Sequence, residues 1–568
     1  MRQPSPLLSR LPILALLLAA CAQPGRPAPE PPLLLHGGTI ETMDPRLGRV
    51  EALGIAGGRV VAAGPRAEVA AALAAADERP AREFDLRGAV ALPGFIDAHA
   101  HFGGIGQSAR IVDLRGCADE AEMVTRAAAA ALDLPPGAWV TGRGWDQNLW
   151  PGRRFPTRAA LSAALPDHPC LLTRIDGHAL LANDAAISAA GVTRDTPDPA
   201  GGEILRDAAG EPNGIFVDAA ESLVRDAMPA PDEATRRRDL LAAQAACFRV
   251  GITSLHDAGI GADELAAMRA LYASGELEIR LYVMLGGSGT TMADLDLDAA
   301  PSIGEFDERL TVRAWKVGVD GALGSRGAAL LEDYRDRPGH RGLVLMDEDE
   351  LVALGRRALE GGWQVCVHAI GDRGNRIALD AWERVFAERP EGRAARFRIE
   401  HAQILDRADI PRFARLGVVA SMQTNHATSD LPWAEERLGR ERVEEGAYAW
   451  RELIADGAAF CNGTDAPVEE LAPLANLRAA VFRDWGEGPP TSGYHARQRL
   501  TRREAVASYT TGGAWAAFEE DRKGRLAPGM LGDVVILERD PIEGPESNLR
   551  NNAVRATIVG GRIVHRAE

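Results

Sequence analysis

The run LPGFIDAHAHF, Leu92 to Phe102, places Asp97, His99 and His101 at every second position. Alternate side chains of a strand share a face. Three polar groups in an apolar run therefore point the same way and need something to hold. Similar runs follow downstream, with Lys316 in VRAWKVGVDG, His368 in WQVCVHAIGD, His401 in FRIEHAQI and Asp465 in AAFCNGTDAPV. Each of these residues stands near the end of a strand-like stretch. Four imidazoles, a carboxylate and a lysine gathered in this way suit one or two divalent metal ions. Nitrogen and carboxylate donors match zinc, manganese, iron(II) or cobalt, and no thiolate is offered. Zinc is the default. A lone strand histidine is more often a hydrogen-bonded structural residue, so the weight rests on the ordered set.

Such a set needs a scaffold that brings several strand ends together. The middle of the chain alternates strand-like runs with helix-length patterns such as DEDELVALGRRALEGG. The runs are GFIDAHAHF, GITSLHDAG, IRLYVMLG, VRAWKVGVDG, WQVCVHAIGD, FRIEHAQI, VVASMQTNHA and AAFCNGTDAPV. Eight β-then-α units predict an α/β protein with a (β/α)8 TIM barrel over residues 91–514, its active site at the C-terminal strand ends. A doubly wound sheet is the competitor, but no glycine-rich dinucleotide fingerprint follows the first strand. The interval from His101 to Gly251 is far longer than one βα unit needs. It predicts an inserted subdomain after the first barrel strand, at about residues 113–245, capping the barrel mouth. Short glycine-separated strands at both ends of the chain predict a small β-sandwich domain built from residues 33–90 and 515–568.

GFIDAHAH, KVGVDGALGSRGAAL, VHAIGDRGN, RIEHAQ and NGTDAPVE together resemble the amidohydrolase superfamily, specifically amidohydrolase family 3, which includes N-substituted formamide deformylase. GWDQNLW and DGHALLAND resemble segments of that family's insertion, and the likeness runs over nearly the whole chain after the leader. The resemblance implies a metal-dependent hydrolase of a C–N bond in an amide, formamide or cyclic amide. In it, His99 and His101 would bind the more buried metal, and His368 and His401 the more exposed one. Asp465 would bind metal and shuttle protons. Lys316, by the resemblance, would be carboxylated to a carbamate that bridges the metals. An unmodified Lys316 that orients substrate or pairs with Asp320 stands as the alternative, as does a Schiff-base lysine. Deamination, other hydrolysis on the same scaffold, and non-catalytic ligand binding at the cell surface are the competing functions.

Other residues are weaker candidates. Asp97 either orients a ligand histidine or forms a turn. Trp145, with Trp150 and Phe155, is either an apolar wall for substrate or the insertion's own core. His178 in IDGHALL and His256 in TSLHDAG are substrate contacts or structural. Arg326 in LGSRGAAL, and Asn425 and His426 in QTNHATSD, follow the fourth and seventh strands, where substrate would reach.

The formal net charge of −17 and the absence of a basic cluster argue against nucleic acid as a partner. The expected partner is a small-molecule substrate, with the oligomeric state open. The first residues read as a signal peptide, residues 1–20, with Arg2 and Arg10 ahead of an apolar run that ends in LAAC. That ending resembles a bacterial lipobox, with Cys21 as the lipidated residue, followed by a proline-rich tether over residues 21–32. The expectation is a lipid anchor as the sole membrane contact, at the periplasmic face of the outer membrane. The other five cysteines lack disulfide or zinc-ribbon spacing and read as small buried hydrophobes.

Overall fold

The computed structural model describes residues 30–132, 134–199, 201–484 and 495–567. The expected signal peptide, Cys21 and residues 22–29 of the expected tether lie outside the described residues. Eight parallel strands build the centre. They are β1 (Phe95–Ala100), β2 (Ile252–Ile260), β3 (Arg280–Gly286), β4 (Leu310–Gly318), β5 (Gln364–Ala369), β6 (Arg398–His401), β7 (Val419–Met422) and β8 (Ala459–Asn462). Each pairs in parallel with the next. All eight come from the runs read in the sequence, and the chain is a (β/α)8 barrel with additional domains. Between β1 and β8 the ring closes past the strand ends, where Asp465 N–H donates to the His99 carbonyl at 2.7 Å and His101 N–H to Ala466 at 2.8 Å.

Strands packed on both faces are mainly apolar, and β5 reads QVCVHA with every residue buried. The outer helices are amphipathic. The helix Glu348–Gly361 opens with a capping box from Asp347 and Glu350 and buries Leu351, Val352, Leu354, Gly355 and Ala358. It stops at Gly362, whose φ of 75° is open to glycine at little cost.

Two sheets form the β domain. One orders Arg59–Gly64, Ala52–Ala56, Leu33–His36 and Arg82–Asp85. The other orders Arg562–Arg566, Val554–Val559, Val534–Leu537, Val90–Pro93, Thr39–Glu41 and Arg49–Val50, and so draws on both ends of the described chain. Leu33, Leu35, Leu53 and Ile55 meet Ile40, Val534, Ile536 and Ile558 in one shared core. A buried ion pair, Arg280 Nε to Asp533 Oδ2 at 2.6 Å, ties this domain to β3.

The boundaries differ from the sequence reading at two places. Residues 515–533 add no strand to the sandwich, and the helix Thr511–Ala516 packs on β1 and β8. The insertion is a six-stranded sheet running from Val112–Asp113 to Pro212–Asp218. The helix Glu233–Arg249, expected within the insertion, packs instead on the helix Phe102–Ser108 and on β2, as part of the barrel's outer layer. Its buried stripe of Leu240, Ala243 and Cys247 matches that role. The five cysteines beyond Cys21 are all buried and unpaired.

Candidate metal centre and its cavity

The C-terminal ends of the barrel strands and the insertion enclose a cavity of about 260 Å³. His99, His101, Lys316, His368, His401 and Asp465 all line it, as do His178 from the insertion and His426 after β7. The imidazoles form a chain of ring contacts, with centroids 4.8 Å apart for His99 and His401, 4.6 Å for His368 and His401, and 5.2 Å for His178 and His368. Asp465 is the hub. Its Oδ1 lies 3.4 Å from Nε2 of both His99 and His101, and its Oδ2 lies 3.4 Å from His426 Nε2. His401 and Asp465 have φ of 75° and 59°. Left-handed backbone at two non-glycine residues is strain of the kind that gathers at functional sites.

Each of four histidines is held at Nδ1 by an acceptor. Glu400 Oε2 receives His99 at 2.5 Å, Gln423 Oε1 receives His401 at 2.7 Å, Asp218 Oδ1 receives His178 at 2.6 Å, and Glu469 Oε1 receives His426 at 3.2 Å. Such partners set the tautomer and leave Nε2 to face the cavity. The sequence reading missed all four acceptors. A signal was present for two of them, because Arg398 with Glu400, and Ser421 with Gln423, place polar residues at strand period two inside apolar runs.

The donor set suits a divalent metal. His99, His401 and Asp465 offer donor atoms that all lie within 4.8 Å of one another. His99 Nε2 and Asp465 Oδ1 are buried without a hydrogen-bond partner. Leaving two such atoms unsatisfied would cost about 1–3 kcal/mol each, which a bound cation would offset. Burial holds the His368 and His401 imidazoles well below their usual pKa, so both are neutral donors. Burial alone would raise the Asp465 carboxyl, but the imidazoles of His101, His426 and His99 beside it take it well below the usual range. Burial also lowers the Lys316 ammonium.

The remaining candidates separate. Asp97 does not reach the cavity. It accepts from the backbone of His99 and from Thr464 N and Oγ1, at 3.2, 2.9 and 2.6 Å, and so braces β1 against the segment that carries Asp465. Trp145 is a correction: it is fully buried in the insertion's core with Trp150 and Phe155, and its Nε1 donates to Leu172. Arg326 is a second correction. It is turned to Asp336 at 2.8 Å and does not line the cavity. His256 lies beneath the site, wholly buried, accepting at Nδ1 from Arg398 at 3.0 Å. Lys316 makes no ion pair with Asp320, whose carboxylate is filled by the backbone N–H groups of Ala329, Ile370 and Gly371. Its Nζ lies 3.5 Å from Ser288 Oγ.

His178 reaches the cavity because the insertion seats closely on the loop after β4. A Cβ at Gly321 would lie 2.6 Å from Asp218 Oδ1, and one at Gly327 would lie 2.5 Å from Asp218 Oδ2. Both glycines exist to admit the carboxylate that holds His178. Gly327→Ala is expected to push Asp218 back and lower kcat/KM by roughly 10²-fold, the scale of an ångström-sized misplacement. The thermal midpoint should stay close to that of the parent protein. A variant with parental kcat/KM would show that the Asp218–His178 seat is not used.

The amidohydrolase family profile matches residues 82–565. YtcJ of Bacillus subtilis is 33% identical over 536 residues, covering 93% of this chain and 98% of that one. The N-substituted formamide deformylase of Arthrobacter pascens is 29% identical over 544 residues, 93% of this chain and 97% of that one. Among solved structures, an uncharacterized metal-dependent hydrolase from Pyrococcus furiosus superposes with a TM-score of 0.70 at 30% identity, over 90% of this chain and 100% of its own.

Proposed function

The chain belongs to the amidohydrolase family, and from that premise we propose that it is a metal-dependent hydrolase of a C–N bond in an amide, N-substituted formamide or cyclic amide. The observation that carries this reading is the donor set itself: His99, His401 and Asp465 converge at the mouth of a barrel with two donor atoms unpartnered. The similarity to a formamide deformylase supports the bond class.

Divalent metal, zinc by default, would be held as two ions by His99, His101, Lys316, His368, His401 and Asp465, and would supply acidified water and a polarised carbonyl. The chain's own residues do the rest. Asp465 takes the proton of the attacking water and returns it to the departing nitrogen, acting as base and then acid. Glu400 and Gln423 hold His99 and His401 in register. His178 and His426, fixed by Asp218 and Glu469, present Nε2 to the substrate. The insertion closes the mouth and limits water. Lys316, buried among these groups, would be carboxylated on Nζ by carbon dioxide and would hold metal as the resulting anionic carbamate. Lipidation at Cys21 and an outer-membrane location complete it.

Metal content by mass spectrometry, beside turnover of simple amides and formamides with and without chelator, tests the proposal. The expected result is about two ions per chain, a lower content in Lys316→Ala, and activity lost on chelation and restored by metal. One ion, unchanged in Lys316→Ala, would sink the bridging role. Ammonia release from an aminated heterocycle, with no amide turnover, would replace the C–N hydrolase by a deaminase.

A further inference from the structure

A second cavity of about 270 Å³ opens on the outer side of the barrel, lined by Arg313, Leu359, Trp363, Arg389 and Phe518 among others. It is separate from the metal cavity. Arg313 and Lys316 are three residues apart on β4, so their side chains leave opposite faces of the strand.

Three observations at Arg313 are unusual together. Its guanidinium stacks on the Phe518 ring, 3.7 Å from the centroid, and no carboxylate pairs with it among the described residues. Its Nε is buried with no hydrogen-bond partner. Phe518 itself sits at φ 60°, a costly backbone for a bulky residue. The neighbouring cations are answered. Arg396, stacked on the same ring at 4.6 Å, pairs with Glu520 at 2.6 Å, and Arg389 pairs with Glu360 at 2.9 Å. One guanidinium without a carboxylate partner is left facing a cavity whose apolar wall is Leu359, Trp363 and Phe518, with the paired Arg389 and the exposed Glu391 also lining it.

We propose that this cavity is a second ligand site that takes a small organic carboxylate with a flat apolar body. The planar guanidinium fork matches a carboxylate in bidentate fashion, while aromatic and aliphatic walls remove the ligand's body from water. Arg313 is already oriented by its stacking on Phe518, which lowers the ordering cost of binding.

Isothermal titration of the metal-loaded protein with benzoate tests this. The expected result is saturable binding that weakens by about tenfold or more in Arg313→Met, with hydrolytic activity and thermal midpoint unchanged. Benzoate taken up at the metal centre would appear equally in both proteins, so the difference isolates this site. Arg313→Lys, which keeps the charge and loses the fork, should fall between them, and it serves as the comparison if Arg313→Met does not fold. Inorganic phosphate should bind more weakly than benzoate. Identical benzoate binding in parent and variants, or no binding up to ~10 mM, would overturn the site. Phosphate binding as tightly as benzoate would overturn the ligand class.

Discussion

Asp465→Asn is expected to lower kcat by at least ~10³-fold, within the range that a positioned acid–base group contributes. The substitution keeps the shape of the side chain and removes what the site uses. Asp465 now meets three imidazole Nε2 atoms, His99 and His101 at one oxygen and His426 at the other, each at 3.4 Å. An amide offers one acceptor, turns a donor toward the third ring, and cannot carry a proton. Metal content should fall in parallel. Folding stability should not, because the change removes a buried negative charge. Steady-state kinetics on the best substrate from the amide screen, with metal analysis of the same sample, gives the answer. A kcat within about tenfold of the parent would end the proton-shuttle role.

The second large effect is on stability. Arg398→Met is expected to cost about 3–5 kcal/mol, since removing one partner of a buried ion pair strands the other. Arg398 is wholly buried inside the barrel. Its Nε lies 2.7 Å from Glu400 Oε1, and it also donates to Glu400 Oε2, the Ala98 carbonyl and Ser421 Oγ at 3.0, 2.6 and 2.7 Å. Burial alone would raise the Glu400 carboxyl, but Arg398 and His99 hold it well below the usual glutamate range. The sign for pH follows. A carboxylate with a depressed folded-state pKa contributes stability above its unfolded value near ~4.3, and that contribution fades as pH falls below it. Denaturant unfolding at pH 7 and at pH 4 should therefore show the gap between parent and Arg398→Met shrinking at low pH. Because Glu400 also holds His99 Nδ1, the variant should bind metal roughly 10–100-fold more weakly. Equal unfolding midpoints at pH 7 would contradict the account.

Much of the barrel was legible in the sequence, because a parallel strand buried on both faces must be a continuous apolar run. His99, His101, Lys316, His368, His401 and Asp465 interrupt such runs at one end. What remained hidden depends on contacts between distant parts of the chain. Glu400 is 301 residues from the histidine it holds, and Asp218 lies in the insertion, 40 residues beyond His178. Residue types do not announce such pairs. Trp145 was equally ambiguous from its type, since a tryptophan fills a core or walls a pocket with the same ring. Its burial against Trp150 and Phe155 and the Nε1 bond to Leu172 decide for the core. The helix Glu233–Arg249 was drawn into the insertion because helical periodicity carries no address.

The closure between β1 and β8 has a consequence for how the protein folds. Asp97 and Thr464 are 367 residues apart and are joined by a 2.6 Å hydrogen bond, beside the backbone bonds of Asp465 and His101. Loop-closure entropy opposes such pairings more than neighbouring ones, so contacts of this span are made slowly. The seam that completes the cylinder is also the place where His99 meets Asp465. A nascent or partly folded chain can therefore hold several finished strands and still have no catalytic centre, since competence arrives with the last join of the ring.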